Sequence, residues 1–148
     1  MGLLLQWLFG GQADTAPTEV SRPLHLARGR GYTFDVVGEA NYQDALDHIC
    51  GGKCDDGYNL ETTAQLCFQE DNPHDSNAVA VLMERKVVGY IPRDKAAWFR
   101  SEILKVNPEE RPVICDAKVV GGWYRGRGDE GHYGVKLSLA EPLTVTSR

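Results

Sequence analysis

The sequence predicts a mainly β domain of the α+β class, built as a small, partly open β-barrel of about six strands with two short helices. Three observations predict it. Short runs of alternating apolar and polar residues recur along the chain, turn residues separate these runs, and only two segments have helical spacing. With 148 residues, 42% of them hydrophobic and 25% charged, the composition is typical of one globular domain.

The first 30 residues differ from the rest and are interpreted as an apolar segment plus a linker, before a domain at 31–145. The apolar segment Leu3–Phe9 is too short to cross a bilayer, which takes about 20 apolar residues, and it lacks the features of a secretory signal. We therefore expect a cytoplasmic protein with reduced cysteines and no membrane span. The segment is expected to dock on its own domain, on a partner or on a membrane surface.

The predicted domain begins with a strand at Tyr32–Val37, which Gly38 ends. Asn41 is the expected cap of a helix that runs from Tyr42 to about Ile49, with Asp44 at the third position as in a capping box. A loop follows at 50–57. Beyond it, apolar residues at every second position predict a half-buried strand, namely Ala64, Leu66 and Phe68.

The second half continues with strands around one longer helix. Ala78–Met83 is a continuous apolar strand, and Glu84-Arg85 is the expected tight turn into the strand Lys86–Ile91. Asp94 is the expected cap of the second helix, whose predicted core-facing stripe is Ala97, Trp98, Phe99, Ile103 and Leu104. Alternation predicts two last strands, with inward residues Val113, Cys115, Ala117 and Val119 in one and Val135, Leu137 and Leu139 in the other.

The most specific motif is Asn72-Pro73-His74-Asp75-Ser76-Asn77-Ala78, between two predicted strands. Proline fixes one backbone angle, and the side chains of Asn and Asp hydrogen-bond to nearby backbone groups. The string therefore predicts a rigid loop. Such a loop can hold a carboxylate and a ring in fixed positions, or its polar residues can simply satisfy their own backbone.

The segment 68–81, followed by Val88-Gly89-Tyr90-Ile91-Pro92-Arg93-Asp94, closely resembles the signature of the HIRAN family, in its free-standing bacterial type. The resemblance implies an OB-like barrel without catalytic activity that holds single-stranded DNA 3′ ends or DNA junctions in repair or replication, alongside a partner enzyme. It also implies roles for four residues. Asp75 accepts a hydrogen bond from the terminal 3′-hydroxyl, His74 stacks on a base in place of the usual Tyr, Arg93 contacts phosphate, and Tyr90 faces the same groove.

The same groove is expected to include a second candidate for nucleic-acid contact, the glycine-rich, aromatic and basic loop after the strand at 113–119. Aromatic faces stack on bases, and interleaved arginines neutralise phosphates. The residues concerned are Trp123, Tyr124, Arg125 and Arg127. An ordinary exposed hairpin is the alternative interpretation.

Charge and two departures from the family pattern favour a protein-interaction module as the alternative function. The net charge is −5, and the segment Asp35–Asp75 alone carries ten acidic residues against one lysine. Aromatic residues that the DNA-end binders have in the first strand are replaced by Thr33-Phe34-Asp35, and the insert 39–61 is longer than in the translocase modules. The acidic half and the apolar Leu3–Phe9 segment are the surfaces that a protein partner would meet.

Two metal hypotheses are weaker. Asp71, His74 and Asp75 could together bind a metal and hydrolyse phosphodiesters, although one loop organising itself explains the same residues. Cys50 and Cys54, with His48 and Cys67, resemble half of a zinc site. We predict no metal, no cofactor and no enzymatic activity.

Overall fold

The structure is a computed structural model, and it describes residues 22–146. The expectations for the Leu3–Phe9 segment lie outside these residues. Seven strands are described: β1 (Leu24–His25), β2 (Phe34–Asp35), β3 (Tyr58–Phe68), β4 (Val79–Met83), β5 (Lys86–Tyr90), β6 (Val113–Gly121) and β7 (Tyr133–Ser138). The helices in this part of the chain are α1 (Gln43–Cys50) and α2 (Arg93–Val106), with a 3₁₀ turn at Glu39–Asn41 before α1.

Six strands form one curled antiparallel sheet in the order β2-β7-β6-β3-β4-β5. Just after β2, Val37 forms a single antiparallel bridge with Tyr90 at the end of β5. The Val37 N–H donates to the Tyr90 carbonyl over 2.9 Å, and the Tyr90 N–H donates back over 2.8 Å. We call this bridge the seam, because it joins the two edges of the sheet. The predicted OB-like, partly open barrel is confirmed.

The short strands form where the sequence pattern places them. In β6 the residues predicted to point inward are buried and their neighbours are half-buried, as period-2 alternation requires. Glu84 and Arg85 have φ values of 50° and 67° and join β4 to β5, the backbone of a two-residue hairpin turn. Leu139, predicted as the last inward residue of β7, lies one residue past its end and is half-buried.

Strand β3 is longer than predicted, because it begins at Tyr58 rather than near Ala64. Its N-terminal part pairs with β6, from Tyr58 opposite Gly121 onward, whereas β4 covers only Gln65–Phe68 on the other edge. Residues 59–63 are exposed, so no buried face produces the alternation by which a strand is recognised. Long-range pairing, rather than local pattern, defines this half of the strand.

The helix caps were predicted wrongly. Asn41 lies in the 3₁₀ turn, Tyr42 is the N-terminal cap residue of α1, and no side chain caps this end, so Asp44 forms no capping box. Helix α2 begins two residues earlier than expected, because Pro92 rather than Asp94 is its cap residue, and Asp94 therefore lies inside the first turn. An acidic residue in the first turn stabilises the helix through the positive end of the helix dipole. An Asp near a helix start therefore does not show by itself whether it is the cap or a first-turn residue.

The core-facing stripe of α2 is narrower than predicted. Its buried residues are Ala96, Phe99 and Ile103. Trp98 is 40% exposed and Leu104 52% exposed, and Ala97 is exposed as well. Spacing of three and four residues places the buried set on one side of the helix, whereas Trp98 and Leu104 lie on its flanks.

The sheet also includes residues on the N-terminal side of the boundary expected at 30/31. Strand β1 runs parallel to the start of β6, with Leu24 opposite Val113. Leu24 and Leu26 are buried in the core. This core fills the barrel and includes residues of α1 and α2. Its largest fully buried side chains are Phe99, Leu26, Leu46, Ile103 and Leu137.

Candidate nucleic-acid interface

The motif loop Asn72–Asn77 connects β3 to β4 and is organised by one asparagine. The Asn72 side-chain oxygen accepts the backbone N–H of His74 over 2.8 Å and that of Asp75 over 3.2 Å. Below it, the Gln69 N–H donates to the Ala78 carbonyl over 2.9 Å and closes the neck of the loop. The side-chain-to-backbone hydrogen bonds that the sequence predicted within the loop are therefore present.

Asp75 lies half-buried in this loop. Its Oδ1 accepts the Asn77 backbone N–H over 2.9 Å, which anchors one oxygen of the carboxylate. Within the described residues, no hydrogen bond is made to Oδ2. One carboxylate oxygen is thus used to shape the loop, and the other is available to an external donor.

Tyr90 and Arg93 hold the loop from the side of β5 and α2. The Tyr90 hydroxyl donates to Gln69 Oε1 over 2.9 Å, and the same oxygen accepts from Asn72 Nδ2 over 3.1 Å. Arg93 Nη2 donates to the His74 carbonyl over 2.9 Å. Both Arg93 and His74 are exposed. These contacts bring together four predicted site residues, His74, Asp75, Tyr90 and Arg93.

Tyr42 also belongs to this surface, although the sequence analysis assigned it only to the start of a helix. Its ring centroid is 6.3 Å from that of Tyr90, with the planes tilted by 47°. Burial, with a smaller contribution from the neighbouring Tyr90 hydroxyl, raises the pKa of the Tyr42 phenol. An aromatic residue near the start of the insert 39–61 was the only sequence signal for it.

The first-strand position that departs from the family pattern is used for packing. The Phe34 ring lies 6.0 Å from the Phe99 ring, and the Lys95 ammonium lies 5.3 Å from the Phe34 centroid. Asp35 is exposed and forms an ion pair with Lys136 over 2.8 Å. Phe34 therefore joins β2 to α2, while the Asp35 charge is matched by a cation on β7.

The loop at 123–127 is a separate structure that packs on the loop after α1. The Tyr124 N–H donates to the Cys54 carbonyl over 2.9 Å, and Arg125 lies 3.5 Å from Asp129 and 5.8 Å from the Trp123 ring centroid. Asp55 and Asp56 line the same surface cavity as Tyr124 and Arg125. The positive charge of Arg125 is thus surrounded by carboxylates.

The two candidate surfaces lie at opposite ends of β3. Tyr58, at one end, pairs with Gly121 just before the 123–127 loop, and Phe68, at the other end, precedes the motif loop. The ten residue-to-residue steps from Tyr58 to Phe68 span about 33 Å along the strand. The structure does not bring Trp123, Tyr124, Arg125 and Arg127 to the surface formed by His74, Asp75, Tyr90 and Arg93.

The metal and membrane expectations concern the acidic residues, the cysteines and the helices of residues 22–146. No group of three or more His, Cys, Asp or Glu residues there is placed to hold a metal ion. Cys50, Cys54, Cys67 and Cys115 are free thiols, and burial raises the pKa of Cys115 to about 12. Between residues 22 and 146, neither helix has the length and apolar character needed to span a bilayer.

Comparison with known proteins gives one match. The family model described as the HIRAN domain matches residues 37–125, which include α1, the motif loop, the β5–α2 junction and α2. No curated protein and no solved structure matches the chain.

Proposed function

Because the chain belongs to the HIRAN domain family, we propose that it binds the 3′ end of single-stranded DNA, or a junction that exposes one, without catalysing a reaction. HIRAN domains are nucleic-acid-binding modules. The observation that carries the proposal is the hydrogen-bonded chain from Tyr90 through Gln69 and Asn72 to the Asp75 loop. This chain links the Tyr90 hydroxyl to the backbone of Asp75, and a separate hydrogen bond links Arg93 to the His74 carbonyl, which supports a shared binding surface.

In the proposed complex, Asp75 Oδ2 accepts the hydrogen bond of the terminal 3′-hydroxyl. An ionised carboxylate has no proton to donate, so it suits a hydroxyl donor and repels a phosphate at the same place. Because Oδ1 is held by the Asn77 N–H, the carboxylate loses little freedom on binding. This contact is the source of specificity for the end.

The remaining groups supply affinity. Arg93 donates one N–H to the His74 carbonyl, and its other N–H groups can donate to a phosphate. The His74, Tyr42 and Tyr90 rings would provide faces for the terminal bases, at about 1–3 kcal/mol for each base that stacks. In repair or replication, such a module would present the end to a partner enzyme.

The test is a fluorescence-anisotropy titration of single-stranded DNA that carries either a 3′-hydroxyl or a 3′-phosphate. We expect the wild type to prefer the hydroxyl, and Asp75→Asn to bind both strands about equally. The Asn side-chain oxygen can still accept the Asn77 N–H, so the loop keeps its shape while the negative charge is removed. Asp71→Asn is the matched control, because it removes the same charge from an exposed neighbouring position.

Two results would contradict the proposal. Equal binding of both strands by the wild type, or an identical loss of preference in Asp71→Asn, would show that Asp75 does not read the end. The absence of binding to either strand at low salt would exclude nucleic-acid binding altogether.

A second candidate function, protein interaction through the acidic half, is favoured by one observation. Tyr124 is 46% exposed and borders a surface cavity together with Asp55 and Asp56. Exposed aromatic residues beside carboxylates suit a basic protein partner. A partner retained by Asp75→Asn but lost in an Asp55→Asn, Asp56→Asn double variant would support this function, and equal retention by both would contradict it.

A further inference from the structure

A groove on the barrel is lined by the C-terminal end of β3, the second half of α2 and the start of β6. Its volume is about 440 Å³. None of the residues proposed to contact DNA lines it. The apolar residues that line it are Leu66, Phe68, Ile103, Leu104, Pro112 and Val113.

Leu104 is the most exposed large apolar side chain of the described residues, at 52%. It extends from α2 at the groove, near the half-buried Phe68. A single exposed leucine needs no explanation, but one that continues an apolar groove enlarges a surface that water solvates poorly. The groove therefore fits an apolar occupant.

Arg100 adds a polar requirement. Its Nη2 pairs with Glu70 over 2.9 Å, and its guanidinium lies 4.2 Å from the Phe68 ring centroid. Its Nη1 is buried and has no hydrogen-bond partner in the described part of the chain. Buried donors are normally paired, so an occupant that brings a hydrogen-bond acceptor would complete this site.

The first described residues, Arg22 and Pro23, lie at the rim of the groove. Arg111, which lines the groove, donates from Nε to the Arg22 carbonyl and from Nη2 to the Pro23 carbonyl, each over 2.9 Å. The 21 residues that precede Arg22 therefore start from this rim. Among them is the uncharged segment Leu3–Phe9, six of whose seven residues are apolar.

We propose that Leu3–Phe9 docks in this groove of its own chain. Its apolar side chains would cover Phe68 and Leu104, and one of its backbone carbonyls would accept from Arg100 Nη1. The linker Gly10–Ser21 has 12 residues, whose root-mean-square length as a flexible chain is about 19 Å. Tethering on this scale gives an effective concentration on the order of millimolar, so weak contacts are sufficient to keep the groove occupied.

Hydrogen–deuterium exchange of the full chain, read by mass spectrometry, tests the proposal. In the wild type we expect the amides of residues 3–9 to exchange at least tenfold more slowly than in Leu104→Asp. Leu60→Asp is the matched control, because Leu60 is 40% exposed and lies outside the groove. It should leave the slow exchange intact, and peptides from β6 should exchange equally in all three proteins.

A further variant, Leu4→Asp, changes the segment and no described residue, and it should abolish the same protection. Unprotected exchange of residues 3–9 in the wild type would overturn the proposal, as would equal protection in wild type and Leu104→Asp. Protection that appears only as protein concentration rises would overturn it too, since the segment would then dock on a second copy.

Discussion

At the scale of single residues, Tyr90 has two tasks that act through different atoms. Its backbone closes the barrel at the seam with Val37, and its hydroxyl donates to Gln69 at the base of the motif loop. The neighbouring position 89 needs a glycine for a steric reason at the same seam. A Cβ at Gly89 would overlap the Val36 side chain and lie 2.9 Å from the Val37 carbonyl oxygen. The Val-Gly-Tyr sequence thus combines a close approach of two backbones with a ring of the proposed interface.

We therefore predict that Gly89→Ala lowers the free energy of unfolding by about 1–3 kcal/mol, because the added methyl group forces the seam apart. Urea denaturation measures this. Gly134→Ala is the control in another strand, since its Cβ would meet Val120 only at 3.3 Å. Equal losses in the two variants would show that strand propensity, rather than crowding at the seam, is the cause.

The thiols give a second prediction at this scale. Cys54 is exposed, whereas Cys115 is buried and burial raises its pKa to about 12. Because the thiolate is the form that reacts, iodoacetamide near pH 8 should modify Cys54 and leave Cys115 unmodified until the protein unfolds. Peptide mass spectrometry with and without denaturant checks this order. Modification of Cys115 in the native protein would indicate that the core opens locally.

At the scale of elements, α2 shows what a sequence pattern can and cannot predict. Helical spacing located the helix correctly, and Phe99 and Ile103 were correctly placed in the core. Trp98 and Leu104 were assigned to the same face because hydrophobicity does not report the direction in which the rest of the protein lies. That direction is set when β2 brings Phe34 against Phe99, a contact between residues 65 positions apart.

Substitution of two neighbouring aromatic residues of α2 by alanine should therefore lower the stability by very different amounts. Phe99→Ala should cost about 3–5 kcal/mol of stability, because it leaves a cavity in the core. Trp98→Ala should cost far less, since 40% of that residue is already exposed. The difference between their urea midpoints is the measurement. Comparable losses would place Trp98 in a contact outside the described residues.

At the scale of the whole molecule, the sequence predicted the fold class and the motif loop but not how the parts meet. The barrel follows from local strand and turn signals. The exposed half of β3 has no such signal, and neither does the seam, since both depend on pairing between distant residues. For the same reason, one surface was predicted where the structure has two, with Trp123 and Asp75 at opposite ends of β3.

Charge is the property of the whole molecule that matters for binding. With a net charge of −5, the protein attracts DNA only through local cations, of which Arg93 lies in the proposed interface. We expect the logarithm of the affinity for single-stranded DNA to fall with the logarithm of salt concentration with a slope of about −0.7 to −1.4, for one or two phosphate contacts. Arg93→Ala should make the slope shallower by about 0.7.

Arg125→Ala provides the control, because Arg125 lies in the separate 123–127 loop beside Asp129. It should leave the slope unchanged. A steeper wild-type slope that both variants reduce equally would mean that the DNA spans the two surfaces, rather than ending at the motif loop.

The seam has a consequence for the dynamics of the barrel. The β3–β6 interface is held by nine paired positions, whereas one pair with two hydrogen bonds joins β2 to β5. The edges should therefore separate in brief, local openings at far lower free energy than global unfolding. Each opening would release the backbone of Tyr90, whose ring lies in the proposed DNA interface. A DNA end that binds the Tyr90 ring should therefore lower the rate at which the two edges of the sheet separate.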